Sequence, residues 1–393
     1  MVKVLQVSAS VSPLHGGPSE MALNLNRAMR AQGHAIQLLT SDNRLGPDEV
    51  RRLKAEFPLG TLQLTSSRHH LAEPVRWARW LSGALSDRSI VHIHGFYLWQ
   101  TALAAMLSRA KRVPYVVHCH GTFEPYQTQQ SRWRKAVFDW IIGRRILRDA
   151  AGMVFDTEAE SDIATLPRGV PRKRTYVVPP CPANDMVPNS KSRGLDPGAP
   201  VILFLARIAP VKRVDLVISA MPAILRIHPN ALLLVAGLDS ENLASHAIAS
   251  LPQEAQRAIV LEGFTTGSAK KELFRRAHVY VLPSENENFG ISVAEALTEG
   301  VPVVISEAVG VAAYVKAAGA GVVLRDPTAS SIADAVSSVL SDPEGYWSMS
   351  QSARDLGHRL YSAETTVELA NQAYVSVIRS SRATAVTNCE PRV

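Results

Sequence analysis

The feature that most constrains the fold of this chain is an alternation of short apolar strands with amphipathic helices. Residues 2–7 form an apolar, β-rich segment, a loop of serine, glycine and proline follows, and a helix begins at Ser19 before a second strand over residues 36–40. A strand, a helix and a strand in this order form a βαβ unit, whose two strands lie parallel in one sheet. The start of the chain therefore predicts an α/β fold.

The alternation occurs twice, on either side of a proline-rich stretch. Residues 179–200 contain six prolines and no apolar periodicity, which is typical of a linker. Because 393 residues are too many for one ordinary core, we expect two doubly wound, Rossmann-like domains facing across a cleft. The expected boundaries are residues 1–190 and 191–362. A C-terminal helix over about 363–380 should pack back on the first domain, and residues 381–393 should form a disordered tail.

The positive charge is concentrated in the first half of the chain. Residues 1–190 carry 24 lysines and arginines against 15 acidic residues, a net charge of +9, whereas residues 191–393 carry 18 against 20. This asymmetry predicts an anionic partner for the first domain, such as a membrane or a phosphorylated substrate. Nucleic acid is not an expected partner, because no known nucleic-acid-binding motif is present.

Membrane-spanning and secreted classes are not indicated. No apolar run approaches the roughly 18 residues of a membrane span, and the first residues are too short and too polar a segment for a signal peptide. Cys119, Cys181 and Cys389 are scattered without a CxxC pair, so the sequence predicts neither a disulfide framework nor a cysteine zinc site. We expect a cytoplasmic protein.

Two glutamates eight positions apart make residues 284–297 the most informative stretch. Glu287 follows a predicted strand, and Glu295 lies in the next helix, up to about 12 Å further along at roughly 1.5 Å per residue. A helix N-terminus between two carboxylates suits a nucleotide sugar, with hydroxyl groups at the carboxylates and the diphosphate at the helix. By spacing alone, two solvated glutamates, one in a loop and one in a helix, are the favoured interpretation.

Two loops at predicted strand ends carry phosphate-binding chemistry. Arg207 and Lys212 follow the first strand of the second domain, where they can hold a diphosphate and stabilise it as a leaving group. Gly16 and Gly17 precede the first helix, where a backbone without side chains can approach a phosphate or a sugar closely. Each loop taken alone also fits an ordinary solvated loop or turn.

His118 and His120 alternate at the end of a strand and therefore share one face. His120 precedes Gly121, so its side chain can point into the expected cleft. The pair can be interpreted as metal ligands or as packing residues, and no third ligand lies close by in sequence. His92 and His94 present the same two alternatives on another strand and stay unassigned.

Together these motifs resemble the retaining glycosyltransferases of family 4, whose architecture of two Rossmann-like domains is called GT-B. The resemblance covers about residues 3–380. It rests on an E-x7-E motif from Glu287 to Glu295, on Arg207 with Lys212, on the Gly16-Gly17 loop and on the triplet of residues 120–122, all in the expected order. The stretches 17–19, 120–125 and 284–290 are most similar to exopolysaccharide-type members.

The resemblance implies roles for residues of the second domain. Glu287 would contact the donor sugar, helped by the backbone amides of Phe289 and Gly290, and Glu295 would hold the ribose. Gly263 and Phe264 would lie near the base.

The resemblance also implies residues that handle the diphosphate and the reacting carbon. Arg207 and Lys212 would bind the diphosphate, Gly17 would approach it from the first domain, and His120 would contact the sugar near its reacting carbon. The basic loop departs from many members, which have glycine where this chain has Ala206 and Arg213.

The implied reaction is the transfer of a hexose, mannose or glucose, from a GDP- or UDP-sugar with retention of configuration. In the front-face route usually proposed for the family, the leaving diphosphate oxygen takes the proton of the acceptor while Arg207 and Lys212 stabilise its charge. No metal or other cofactor is expected, and the sequence contains no DxD motif. The expected acceptor is a saccharide or a polyprenyl-diphosphate-linked saccharide in exopolysaccharide or lipopolysaccharide biosynthesis. A nucleotide-sugar epimerase of the same architecture and a catalytically silent nucleotide-sugar-binding protein are the alternatives.

A basic and aromatic segment over residues 131–148 contains six basic residues, one acidic residue, Trp133, Phe138 and Trp140. A shorter stretch over residues 76–80 has the same character. Such a composition on a helix favours an anionic membrane surface, which would place the protein on the inner face of the cell membrane. The alternative is an ordinary helix with its tryptophans in the core.

Overall fold

The computed structural model describes residues 2–12, 17–58, 60–65, 73–182 and 199–387. Strands and helices alternate along most of this range. The strands are β1 Lys3–Ser8, β2 Ala35–Ser41, β3 Leu62–Thr65, β4 Ile90–His94, β5 Tyr115–His118, β6 Gly152–Phe155, β7 Thr175–Val177, β8 Val201–Leu205, β9 Leu232–Ala236, β10 Ile259–Gly263, β11 Val279–Leu282, β12 Val303–Ser306 and β13 Gly321–Leu324.

The helices connect successive strands and cover the sheets. They are α1 Gly17–Ala31, α2 Pro47–Glu56, α3 Glu73–Ala84, α4 Trp99–Ala110, α5 Pro125–Gln129, α6 Arg132–Phe138, α7 Arg144–Asp149, α8 Glu158–Ile163, α9 Val214–Ile227, α10 Leu243–Ala249, α11 Gln253–Arg257, α12 Gly267–Arg276, α13 Ile291–Thr298, α14 Ala312–Ala318, α15 Ala329–Ser341, α16 Pro343–Leu360 and α17 Ala363–Thr387.

The first sheet is parallel, with the strand order β3-β2-β1-β4-β5-β6-β7. Its central strands β4 and β5 are buried along their whole length, because helices cover both faces. One face packs against α3, α4 and α7, and the other packs against α1 and α17. The strand order reverses between β1 and β4, which is where ligands bind in folds of this kind.

The second sheet is also parallel, with the order β10-β9-β8-β11-β12-β13 and its reversal between β8 and β11. One continuous apolar core surrounds it. Two doubly wound α/β domains are thus present, and the predicted fold class is confirmed.

Contacts divide the chain into a unit of Met1–Asn184 with Ala363–Val393 and a unit of Asp185–Ser362. The predicted boundary between residues 190 and 191 lies outside the described residues. Helix α17 belongs to the first unit, since Val367, Ala370 and Tyr374 pack in the core that also contains β1 residues.

Two local predictions need correction. Disorder was predicted from residue 381, but α17 continues to Thr387, because residues 381–387 contain no glycine or proline to end it. The basic and aromatic segment over residues 131–148 was interpreted as one helix, but a π-helical turn over Asp139–Gly143 separates α6 from α7. A β-carbon at Gly143 would lie 2.5 Å from Asp139 Oδ1, so a larger residue there would displace the Asp139 side chain.

Candidate active site

The carboxyl ends of β8 and β11 lie side by side in the second sheet, and the two predicted motifs follow directly from them. The basic loop ends in a 3₁₀ turn, Pro210–Lys212, and Lys212 Nζ lies 2.5 Å from Glu287 Oε2. The same ammonium donates to the carbonyl oxygen of Asn286 at 3.2 Å. Two residues that the sequence predicted separately therefore form one ion pair where the strand order reverses.

Backbone hydrogen bonds fix the loop that carries Glu287. The Glu287 amide donates to the Ala308 carbonyl oxygen at 3.1 Å, and the Gly310 amide donates to the Glu287 carbonyl oxygen at 2.8 Å. A β-carbon at Gly310 would lie 1.8 Å from the carbonyl oxygen of Asn288, so the two backbones can approach only at a glycine. Sequence reasoning missed Gly310, although a glycine just after a predicted strand was a usable signal.

Helix α13 begins immediately after this loop. Gly290 precedes it with φ 92, a conformation that favours glycine. The Phe289 side chain is buried, with its ring centroid 6.5 Å from that of Tyr361. Only the main chain of Phe289 can therefore make a polar contact, and its predicted role is a backbone amide contact with the donor sugar.

Glu295 forms an ion pair that the sequence did not indicate. Its Oε1 lies 2.7 Å from Nζ of Lys270, which comes from α12, and the Glu295 side chain is 6% exposed. No motif connects two residues 25 positions apart on different helices, so sequence reasoning missed Lys270. Both carboxylates of the E-x7-E motif are thus held by a lysine.

The basic loop contains one strained residue. Arg213 has φ 52, whereas Ala206 is not among the described residues with positive φ. Arg213 occupies this left-handed conformation while its guanidinium contacts Asp215 at 3.0 Å and Glu285 at 2.8 Å. Arg207 is exposed and makes no ion pair within the described part of the chain. It is therefore available to an anion at the end of β8.

The end of β10 lies close to this loop. Gly263, with φ 69, accepts a hydrogen bond from the Gly237 amide at 2.8 Å, and Phe264 is about half exposed. A β-carbon at Gly237 would lie 1.8 Å from the Ala206 carbonyl oxygen, so Gly237 permits the approach of the two strand ends. Sequence reasoning missed Gly237.

In the first unit, Gly17 is the first residue of α1, and Gly16 lies outside the described residues. His120 lies at the carboxyl end of β5 with φ 48, and its side chain is only 3% exposed. Its imidazole belongs to a buried network that the sequence had not indicated, and that begins at the helix α17.

One arm of this network runs from Tyr374 to Asp156. Tyr374 Oη lies 2.6 Å from His92 Nδ1, His92 Nε2 lies 3.1 Å from His118 Nδ1, and His118 Nε2 lies 2.9 Å from Asp156 Oδ1. The other arm reaches the same carboxylate. Gln6 Nε2 lies 3.2 Å from His94 Nε2, His94 Nδ1 lies 3.1 Å from His120 Nε2, and His120 Nδ1 lies 3.2 Å from Asp156 Oδ1.

Parallel register explains why these side chains meet. His94 pairs with His118 across β4 and β5, and His118 pairs with Val154 across β5 and β6, at the same end of the sheet. Asp156 follows β6 at once. The alternation of His92 with His94 and of His118 with His120 was a usable signal, but Asp156 could be recognised only once β6 was placed next to β5.

Burial controls the protonation of the network. It lowers the pKa of His92 and His94 well below the usual value and lowers the pKa of His118 to about 4. Burial alone would raise the pKa of Asp156, but the facing His120 and the hydrogen bonds from both histidines hold it below its usual range. At neutral pH, His92, His94 and His118 are therefore neutral and Asp156 is ionised.

Glu160 connects the network to the backbone. Its Oε1 accepts from the Gly121 amide at 2.5 Å and its Oε2 accepts from the Asp156 amide at 2.6 Å. Burial and the neighbouring Asp156 raise the pKa of Glu160 well above its usual value. The turn after β5 is thereby held from both sides, by Asp156 at the His120 ring and by Glu160 at the Gly121 amide.

Asp156 is also the third group that a metal site at the histidine pair would need. His118, His120 and Asp156 each offer a ligand atom, and these atoms lie within 4.8 Å of one another. Two imidazoles and a carboxylate are a donor set that zinc accepts.

The basic and aromatic segment is not packed in the way of an ordinary helix. Trp133 is 68% exposed, Trp140 is 77% exposed and Ile141 is 66% exposed. The shorter stretch over 76–80 differs, because Trp77 is fully buried in the core of the first unit. The expected common character of the two stretches is therefore wrong. No helix among the described residues is long and apolar enough to cross a membrane.

Two family models match the two halves of the chain. A glycosyl transferase 4-like domain matches residues 16–181, and the model described as glycosyl transferases group 1 matches residues 187–356.

Curated relatives support the same family. An uncharacterised glycosyltransferase of Methanocaldococcus jannaschii is 35% identical over 39% of this chain and 38% of its own length. A D-inositol 3-phosphate glycosyltransferase of Nocardia farcinica is 25% identical over 64% of this chain and 58% of its own length. The matched part of the chain thus spans about half the length of these relatives.

Among solved structures, Anabaena HepE in complex with UDP and glucose superposes with a TM-score of 0.71 over 96% of this chain and 100% of its own. At 16% identity, this likeness establishes the fold alone.

Proposed function

The chain belongs to the group 1 glycosyltransferases with the GT-B fold, and on this premise we propose that it transfers a hexose from a nucleotide-diphosphate sugar to a saccharide or lipid-linked acceptor. The observation that carries the proposal is the Lys212–Glu287 pair, 2.5 Å apart at the strand reversal of the second sheet, beside the exposed Arg207. This position is where doubly wound sheets bind nucleotides.

The charges at this site suit a diphosphate leaving group. Lys212 can exchange a contact with Glu287 for a phosphate oxygen, because an ammonium has three donors and a flexible stem. Arg207 can add a bidentate contact, and the N-terminus of α13 adds the partial positive charge of its unpaired amides. Glu287 is then released toward the sugar hydroxyls, while Glu295 stays at the ribose.

These groups would stabilise the negative charge that develops on the diphosphate as the glycosidic bond breaks. In the proposed retaining route, the departing oxygen removes the acceptor proton. We propose that no metal is required, because Arg207 and Lys212 supply the cationic charge at the diphosphate.

The donor is proposed to be GDP- or UDP-linked mannose or glucose, and the pathway to be exopolysaccharide or lipopolysaccharide synthesis. The Nocardia relative and the HepE structure carry names that refer to a glycosyltransferase and to UDP with glucose. A panel of nucleotide sugars incubated with the purified chain and lipid extract, with EDTA in half of the reactions, tests all of these points together.

Formation of a glycosylated acceptor, equal with and without EDTA, is the expected result. Interconversion of sugars without transfer would favour the epimerase alternative. Tight nucleotide binding without turnover of any donor would favour the silent binding protein, and either outcome would overturn the proposal.

The exposed aromatic segment supports a membrane-bound acceptor. Trp133, Trp140 and Ile141 are exposed beside basic residues such as Arg132 and Arg134, and interfacial aromatic and cationic side chains bind anionic bilayers in this combination. We therefore propose a peripheral position on the inner face of the cell membrane.

Co-sedimentation with vesicles of phosphatidylglycerol and phosphatidylcholine tests the membrane proposal. The double change Trp133→Ser with Trp140→Ser should release the protein from the vesicles. Trp347→Ser is the matched control, because Trp347 is also about half exposed but lies in the second unit. Unchanged binding of the double variant would remove this surface from the proposal.

A further inference from the structure

With neutral rings and an ionised carboxylate, the histidine network of the first unit has one consistent arrangement of its protons. A neutral imidazole has one N–H donor and one acceptor nitrogen, and an ionised carboxylate only accepts. Asp156 therefore requires an N–H from His118 Nε2 and another from His120 Nδ1, both of which face its oxygens at 2.9 to 3.2 Å.

These two bonds to the carboxylate determine the proton positions of the other rings in each arm. With Nε2 protonated, His118 must accept at Nδ1 from His92 Nε2, and His92 must accept at Nδ1 from the hydroxyl of Tyr374. This arm ends on a group that can donate, so every ring nitrogen in it has a partner.

The same reasoning applies to the second arm, in which the rings accept at Nε2 and donate at Nδ1. His120 accepts at Nε2 from His94 Nδ1, and His94 accepts at Nε2 from the Gln6 amide. Asn26 fixes the orientation of that amide by donating to Gln6 Oε1 at 2.9 Å. All donors of both arms therefore point toward Asp156.

We propose that Asp156 is a positioning residue that fixes the imidazole of His120 as the Nδ1–H tautomer and thereby holds the turn after β5 at the ligand-binding end of the first sheet. The effect on activity rests on the proposed function, but the tautomers do not. The turn needs such support, since His120 has φ 48 and Gly121 has φ 74, and only glycine adopts this conformation readily. The ring of His120 anchors the strained residue, and Glu160 holds the Gly121 amide.

Nitrogen-15 NMR of the full chain labelled at histidine tests the arrangement directly. The expected pattern at neutral pH is mixed, with Nε2–H tautomers at His92 and His118 and Nδ1–H tautomers at His94 and His120. A doubly protonated His120, or the opposite tautomer at His118 or His120, would overturn the proposal.

A zinc titration followed by the same spectra separates the network from a metal site. The proposal expects the N–H signals of His118 and His120 to persist with stoichiometric Zn²⁺. Loss of both signals with binding of one equivalent would identify His118, His120 and Asp156 as ligands and would also overturn it.

Asp156→Asn tests the positioning role. His118 Nε2 contacts only Oδ1, at 2.9 Å, whereas His120 Nδ1 lies 3.2 Å from Oδ1 and 3.3 Å from Oδ2. An amide nitrogen at the Oδ2 position would therefore face His120 alone and favour the tautomer that accepts at Nδ1. We expect kcat to fall about tenfold or more with the donor KM changed less than about threefold, the size expected for a misplaced catalytic contact. Tyr115→Phe is the control, because it removes a buried side-chain hydrogen bond, 2.6 Å to the Ile146 carbonyl oxygen, outside the network.

A variant that keeps all four wild-type tautomers would contradict the proposal even if its activity fell. A chain that turns over no donor, but shows the mixed tautomer pattern and its reversal in Asp156→Asn, would contradict the proposed function and leave the network standing.

Discussion

Each unit is built on its own parallel sheet, but the polar sites of the two sheets differ in burial and charge. The first unit buries four imidazoles around one carboxylate, and each ring is held by two hydrogen bonds. The second unit places the Lys212–Glu287 pair at its strand ends, with the two side chains still 12% and 23% exposed. A buried network gives a fixed shape, because any change leaves a polar group unpaired. Partly exposed charges can change partners at low cost, which a site for a diphosphate requires.

Replacement of Glu287 gives the largest expected effect and tests the second unit. Glu287→Ala should lower kcat by about 100- to 1000-fold, as for the loss of one preorganised transition-state contact, with a much smaller change in nucleotide affinity. Steady-state kinetics with calorimetric titration of the nucleoside diphosphate separates the two effects. Glu285→Ala is the control, because Glu285 is exposed on the same loop and pairs with Arg213. Equal activity of the two variants would remove Glu287 from the mechanism.

A lower pH should reduce the stability of the first unit more than that of the second unit. The pKa of His118 is about 4 in the folded chain against an ordinary 6.5, so between these pH values the unfolded chain binds a proton that the folded chain refuses. Stability is therefore fully present above about pH 6.5 and falls as the pH drops, by up to about 3 kcal/mol from this group. His92 and His94 act in the same direction.

Hydrogen exchange of the full chain at pH 7 and pH 5 measures this difference. Protection of β4 and β5 should decline more than that of β8 and β11, which serve as the internal control. An equal decline of protection in both sheets would contradict the expected difference in acid stability between the two units.

Replacement of Lys270 tests whether the second ion pair of the second unit is functional. In Lys270→Met, Glu295 loses the ammonium 2.7 Å from its carboxylate, so the proposed contact of Glu295 with the ribose should weaken. We expect the donor KM to rise about five- to tenfold with kcat within about twofold, in the range for a mostly buried charge-assisted hydrogen bond. Lys316→Met, at an exposed lysine of the same unit, should change neither constant. A fall in kcat alone would place Lys270 in the chemical step instead.

The smallest expected effect concerns two residues that share a strained, left-handed backbone conformation. His120 has φ 48 and Arg213 has φ 52, but the first is held by buried hydrogen bonds and the second by exposed ion pairs. Arg213→Gly should be more stable than Arg213→Ala by about 1 kcal/mol, because both lose the ion pairs and only alanine keeps the left-handed strain. Thermal unfolding of the two variants measures the difference. Equal stability would show that the conformation at Arg213 carries no strain.

Strand periodicity was enough to predict both parallel sheets, because buried strands such as β8 and β9 are continuous apolar runs. The edge strand β3 was not predicted, since its four residues are mostly half-buried and lack that pattern. Helix α16 was also not predicted. It is glycine-containing and mostly polar, and it is stabilised by tertiary contacts such as those of Tyr346 and Leu356 with the core.

The sequence alone determined the two α/β domains and the strand ends at which Glu287, Arg207, Lys212 and His120 lie, because periodicity and turn residues are local properties. The partners of these residues were decided by the tertiary structure. Lys270 reaches Glu295 from another helix, and Asp156 reaches His120 only because β6 lies next to β5. Such contacts join residues far apart in the chain, so no local pattern records them. Burial, which keeps His92, His94 and His118 neutral, exists only in the folded chain.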